Sequence, residues 1–221
     1  MATAARRAGR SLSSVQLMAV SKSFPASAIT DAYACGLRVF GESRVQEFFE
    51  KKEALAGLSD AQWHMIGHLQ SNKTARAAEL FSAIDSVDSL RLAERLDTAA
   101  QTLGKKLEVL IEINVGGEAA KSGVAAGSAE LESLLQAAPK LEHLAIRGLM
   151  TVPPLADDPE QARPYFRKLR ELRDQIAARK LPAVAMGALS MGMSYDLEVA
   201  IEEGSTCVRV GTAIFGAREK K

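Results

Sequence analysis

The chain has little of what specialised surfaces and sites are usually made from. Aromatic residues are 5% of its 221 residues, there are two cysteines and three histidines, and 28 basic side chains stand against 27 acidic ones. A formal net charge of +1 provides no field for gathering nucleic acid or an anionic membrane surface. Cys35 and Cys207 lie far apart in apolar segments, and no metal-type spacing joins them to the histidines, so both read as reduced core residues. No apolar run approaches the roughly 18 residues of a membrane span. Met1 to Arg10 is basic but lacks the apolar centre and cleavage site of a leader. These absences point to a cytoplasmic protein that handles a small molecule, with no nucleic acid, membrane or metal as partner.

What the sequence does have is alternation. A short helix is expected over about 2–9, and then strand-like and helix-like segments follow one another from about 15 to 216, which reads as one domain over 1–221. Strands are expected at 15–21, 37–41, 63–67, 82–87, 107–115, 144–150, 184–189 and 206–210. Helices are expected between them at 25–35, 43–56, 71–80, 92–103 and 128–138, around Phe166 to Ile176, and at 195–203. On the helix around Phe166, the set Arg163, Arg167, Arg170 and Arg173 reads as a solvated face. About eight β–α units in a chain of this length predict an α/β fold, a single (β/α)₈ TIM-type barrel, in preference to an open doubly wound sheet.

The stretch Leu17-Met18-Ala19-Val20-Ser21-Lys22 organises the rest. Alternation puts Lys22 on the side of Val20 and Met18, with Ala19, Leu17 and Val15 on the other, and both faces are apolar. A buried strand therefore carries an amine out of its C-terminal end. In a barrel, function collects on the loops after the strands, and phosphate is often held after strands seven and eight. Here those loops are Ser190-Met191-Gly192-Met193-Ser194, with Ser194 placed as a helix N-cap, and Gly211-Thr212-Ala213-Ile214-Phe215-Gly216. Both offer hydroxyls and backbone N–H groups to an anion. Arg209, inside the apolar strand Cys207-Val208-Arg209-Val210, is either functional or ion-paired inside the barrel, for instance to Glu112. An amine among apolar groups, an anion cradle and a buried cation suit a phosphorylated aldehyde held as a Schiff base. His64 reads as a satisfied barrel residue, and His68 and His143 as solvent-facing.

Six ordered motifs then carry a resemblance along nearly the whole chain. They are Ala19-Val20-Ser21-Lys22, Phe40-Gly41-Glu42-Ser43-Arg44-Val45-Gln46-Glu47, His64-Met65-Ile66-Gly67 with Leu69-Gln70-Ser71-Asn72-Lys73, Arg147-Gly148-Leu149-Met150, Ser190-Met191-Gly192-Met193-Ser194, and Val208 to Gly216. The chain resembles the pyridoxal phosphate homeostasis proteins. That resemblance implies a fold-type III barrel, similar to the N-terminal domain of alanine racemase but without its C-terminal β-domain, with pyridoxal 5′-phosphate held covalently by Lys22. It also implies phosphate contacts from Ser194, Gly211 and Thr212, Arg209 facing the pyridine nitrogen, and Met150 in the cofactor-binding set. A guanidinium there disfavours ring protonation and restrains carbanion chemistry. Ser43 joins the set as its least secure member: many relatives have asparagine at this position, and a hydroxyl lacks the amide's donor and acceptor pair.

The implied role is vitamin B6 homeostasis with little or no catalysis, with apo-enzymes that use the cofactor as possible recipients. An amino-acid racemase of the same fold is the first alternative. It needs a second acid–base group, usually a tyrosine from another domain. Only five residues follow Gly216, and Tyr33, Tyr165 and Tyr195 fall in helical segments away from the site, so a non-catalytic monomer is the expectation. A Schiff-base aldolase acting on a phosphosugar is the second alternative, and it gives Arg209 no role.

Overall fold

A chain whose apolar runs are short and buried on both faces forms parallel strands, with each helix returning the chain to start the next. The computed structural model describes residues 1–118 and 122–217, and shows this arrangement. After α1 (Ala2–Arg7) come β1 (Gln16–Val20), α2 (Ala26–Ala34), β2 (Val39–Glu42), α3 (Val45–Lys52), β3 (Gln62–Met65), α4 (Thr74–Leu80), β4 (Ala83–Val87) and α5 (Leu90–Thr102). The second half holds β5 (Leu107–Asn114), β6 (Val124–Ala125), α6 (Ala129–Ala137), β7 (Leu144–Met150), α7 (Arg163–Ala178), β8 (Val184–Met193), α8 (Leu197–Glu202), β9 (Cys207–Val210) and α9 (Thr212–Phe215).

Eight of these strands close into a ring of parallel neighbours. It runs from β1 through β2, β3 and β4 to β5, then through β7, β8 and β9 back to β1. The expected (β/α)₈ barrel is present. The two-residue β6 pairs with the end of β5 outside this ring, and was too short to show as a pattern in the sequence. At the closing seam Met18 lies beside Arg209 and Ala19 beside Val210.

Most of the apolar payload lies between the barrel wall and the helices. Ala19, Phe40, Phe48, Ile84, Leu96, Phe166 and Leu169 are buried there. The few aromatic residues are concentrated in this layer: Trp63 packs on Phe40 and Phe48 with ring centroids 5.1 and 4.8 Å apart, and Phe48 on Phe81 at 4.9 Å. A smaller cluster of Ala4, Ala5, Val15, Ile201, Val208 and Val210 seats α1 and α8 behind the closing seam.

Several local expectations are corrected. The seventh barrel strand runs on from Leu189 to Met193, because Ser190 pairs with Cys207 and Met193 with Arg209. Most of the expected loop after it is therefore strand. Cys35 is exposed at the end of α2 rather than in the core, while Cys207 faces inward, where burial pushes its thiol pKa up to about 12. Tyr195 lies in the turn before α8 and donates to the Asp157 carbonyl. His68 is exposed as expected, but the Nδ1 of His143 is buried 3.8 Å from Asp97. The arginine set is not a solvated face. Arg163, Arg167 and Arg170 converge on the buried Glu203 carboxylate at 3.2, 3.0 and 3.0 Å.

Candidate functional site at the closing seam

The site is assembled where the first and last strands of the barrel meet. Ser21 continues the β1 ladder by donating its N–H to Gly41 O at 3.0 Å, and the chain then turns, with Phe24 N–H donating to Ser21 O at 3.1 Å. Lys22 is therefore carried on a tight turn just beyond β1 rather than on the strand itself, and it is half-buried. The turn leans on the last helix, where Phe24 stacks against Phe215 with centroids 5.0 Å apart.

Beside it, β9 delivers Arg209 into the barrel. Only 3% of its surface is exposed, and burial pushes its pKa down. Its Nη1 donates to Ser190 Oγ at 2.8 Å and its Nη2 to Thr151 O at 2.7 Å. The expected alternative, an ion pair with Glu112, does not form: Glu112 Oε1 accepts instead from Ser122 Oγ at 3.0 Å, and Oε2 is buried with no hydrogen-bond partner among the described residues. Burial raises the Glu112 pKa. The guanidinium is thus oriented by two neutral acceptors, so its charge is not cancelled by a direct carboxylate contact.

Beyond β9, Gly211 caps α9, its carbonyl accepting from the N–H groups of Ile214 and Phe215 at 2.9 Å. Gly211 lies against Val20, and a side-chain carbon added there would sit 3.4 Å from Val20 O. Thr212 is the first residue of α9. Beyond β8, Ser194 does not cap a helix. The helix starts later, at Leu197, with Asp196 at the N-cap position, and Asp196 Oδ1 accepts from Met193 N–H at 2.6 Å. Ser194 instead lies in the turn that follows Gly192, whose φ of +95° favours glycine over other residues. Met150 ends β7 and pairs with Ser190 and Glu112. Ser43 follows β2, with its backbone so close to Gly67 that a side-chain carbon there would lie 2.4 Å from Ser43 O. Gly67 is therefore required for the loops after β2 and β3 to pack together.

All seven residues singled out from the sequence lie at the C-terminal ends of the barrel strands or in the turns just beyond. Lys22, Arg209, Gly211, Thr212 and Ser194 share the three adjoining strands β8, β9 and β1, while Met150 and Ser43 lie on the flanks. Sequence reading missed the buried carboxylates around them. His64 Nδ1 lies 3.0 Å from Asp85 Oδ1; burial disfavours the charged ring, but Asp85 holds its pKa above the ordinary value. Glu42 is completely buried next to the Lys22 turn. A charged residue inside an apolar strand was the available signal in each case, as it was for Arg209.

A parallel barrel with an amine at the rim of its first strand and glycine- and hydroxyl-bearing turns after its last two is a barrel of the alanine racemase N-terminal type. The family model described as alanine racemase, N-terminal domain, matches residues 1–219. The chain is 47% identical over 216 residues to the pyridoxal phosphate homeostasis protein of Aquifex aeolicus, covering 98% of this chain and 92% of that one. Among solved structures it is similar to PipY of Synechococcus elongatus with pyridoxal phosphate bound, at 40% identity and a TM-score of 0.85, covering 97% and 98% of the two chains. Alanine racemase from Streptomyces coelicolor shares the fold at 22% identity and a TM-score of 0.72, over 97% of this chain and 56% of that one. The chain belongs to the pyridoxal phosphate homeostasis protein family.

Proposed function

We propose that this protein binds pyridoxal 5′-phosphate, holds it on Lys22, and serves vitamin B6 homeostasis with little or no catalysis of its own. The observation that carries the reading is the arrangement of donors at the closing seam. An amine, a guanidinium and a helix N-terminus lie on adjoining strands, and they match an aldehyde, a ring nitrogen and a phosphate. The Lys22 amine would hold the aldehyde. The backbone around Gly211 and the hydroxyls of Thr212 and Ser194 would hold the phosphate.

Arg209 is the element that limits chemistry. A guanidinium only donates, so it complements an unprotonated ring nitrogen and opposes the protonated one. When bound, the cofactor supplies an electrophilic ring whose strength as an electron sink depends on that protonation. Met150 and Ser43 complete the walls of the site. The family relationship and the naming of its members for homeostasis support this role over a racemase or a phosphosugar aldolase. Apo-enzymes that need the cofactor are the partners the role implies, and the protein acts as a monomer.

Spectroscopy and mass spectrometry test the reading together. The purified chain with added pyridoxal phosphate is expected to gain visible absorbance, and borohydride reduction to fix the cofactor mass on the peptide containing Lys22. Lys22→Ala is expected to abolish both without loss of folding. An unchanged adduct in that variant, or its appearance on another lysine, overturns the assignment.

A further inference from the structure

The turn that carries Lys22 is tied on both sides to charged residues that cofactor binding leaves without a role. Before Lys22, the Ser21 hydroxyl donates to Glu42 Oε1 at 2.7 Å, and Lys51 Nζ donates to Ser21 O at 3.3 Å. After Lys22, the Ser23 N–H donates to Glu47 Oε1 at 2.5 Å. Lys51 joins the two sides, with its ammonium 2.7 Å from Glu47 Oε1 and 3.3 Å from Glu42 Oε1. Glu47 and Lys51 are four residues apart on one face of α3, a spacing that brings such side chains together.

Two features show that this is more than an ion pair filling space. Ser23 has φ of +69°, a left-handed conformation unfavourable for a residue with a side chain, and one that persists only where the surroundings hold it. The carboxylate that bonds its N–H is the one Lys51 fixes. Glu42 is 0% exposed on a strand whose neighbours Val39 and Phe40 are apolar, and its Oε2 has no hydrogen-bond partner among the described residues. An apolar side chain would be easier to bury there, so the bonds made by its other oxygen need a purpose. Those bonds go to the residue before the lysine and to the clamp itself.

We infer that Glu42, Lys51 and Glu47 are positioning residues, a carboxylate–ammonium–carboxylate clamp that fixes the Ser21–Phe24 turn in the conformation from which the Lys22 amine captures an aldehyde. The inference rests on the Lys22 reading above. In the capture step the neutral amine adds to the carbonyl carbon, a carbon–nitrogen double bond replaces the carbon–oxygen double bond, and the two amine protons leave with the oxygen as water. The clamp touches none of the reacting atoms. It shortens the search of a flexible side chain by holding the backbone on either side of it.

The test separates capture from binding in the full chain. The rate of capture is read by borohydride trapping and mass spectrometry of the Lys22 peptide. Binding is read with pyridoxine 5′-phosphate, which keeps the ring and phosphate but has an alcohol in place of the aldehyde. Lys51→Met and Glu42→Leu, which removes both acceptors, are expected to slow trapping about tenfold or more, with analogue affinity within about twofold of the parent, as loss of orientation alone predicts. Glu47→Gln, which keeps an oxygen for Ser23 and Lys51, is expected to retain most of the rate. Lys51→Met retains the apolar stem and carries the test alone if Glu42→Leu does not fold. Unchanged trapping, or parallel loss of trapping and analogue binding, overturns the clamp. If the parent chain forms no adduct at Lys22, the Lys22 reading and the clamp fail together; if it does and the variants match it, only the clamp fails.

Discussion

Two arginine sites of the molecule differ in what holds them. Inside the barrel, Arg209 is held by a hydroxyl and a carbonyl, and no carboxylate among the described residues bonds it. On the outside, Arg163, Arg167 and Arg170 close around the buried carboxylate of Glu203, with Arg163 also reaching Glu160 and Glu202. Both settings orient the guanidinium, but only the outer one neutralises it. A cation fixed by neutral acceptors remains available to a ligand, whereas one fixed by carboxylates is committed to joining α7 to α8. Partner chemistry, more than burial, separates a binding arginine from a structural one.

Substitutions can break this contrast. Arg209→Met is expected to have the largest effect, lowering pyridoxal phosphate affinity about 10–100-fold, or roughly 1.4–2.7 kcal/mol, in a binding titration. Its effect on folding should be smaller, because two lost hydrogen bonds are offset by removal of a buried charge. Glu203→Gln is expected to do the reverse, with denaturant unfolding showing a loss of about 1–2 kcal/mol and binding unchanged. If Arg209→Met unfolds the chain or Glu203→Gln weakens binding, the distinction does not hold.

Acid sharpens the contrast further. Despite burial, the arginines hold the Glu203 pKa below the ordinary carboxylate range. Its contribution is therefore present at neutral pH and is lost as pH falls through that range to its folded-state pKa. Glu112 behaves oppositely, because burial raises its pKa and its ionised form is penalised in the folded state. That penalty applies at neutral pH and disappears as pH falls below the pKa of the unfolded chain, roughly 4.3. Glu112→Gln should therefore stabilise slightly, by no more than about 1 kcal/mol at pH 8, with the gap closing towards pH 4 in thermal melts. A Glu112→Gln variant less stable than the parent at pH 8, with the deficit closing on acidification, would show that Glu112 is ion-paired after all.

The barrel was legible in the sequence because each strand is a short run bounded by its own punctuation, and alternation of strand and helix leaves few topologies. The strand-end lysine and the buried arginine were legible for a related reason, as charges standing where apolar residues belong. What escaped was set by partners distant in the chain. Ser190 to Met193 look like a loop because of their glycine and serine, and become strand only through pairing with β9. The arginine face looked solvated because Glu203, its partner, lies some 40 residues further along. Ser194 does not cap α8 because the chain stays extended through Met193, which moves the helix start to Leu197. The Glu42 and Glu47 bonds to the Lys22 turn were likewise invisible, since periodicity reports which face a residue occupies and not what it touches.

The closing seam also has a consequence in time. Lys22 lies near the start of the chain and Arg209 with the turns after β8 and β9 near its end, and β1 meets β9 only when the ring closes. Contacts so far apart in sequence are entropically slow to form. During synthesis, Lys22 emerges early and its neighbours emerge last, so no partly made barrel can present a complete pocket. Retention of the cofactor therefore reports that the last strand has docked.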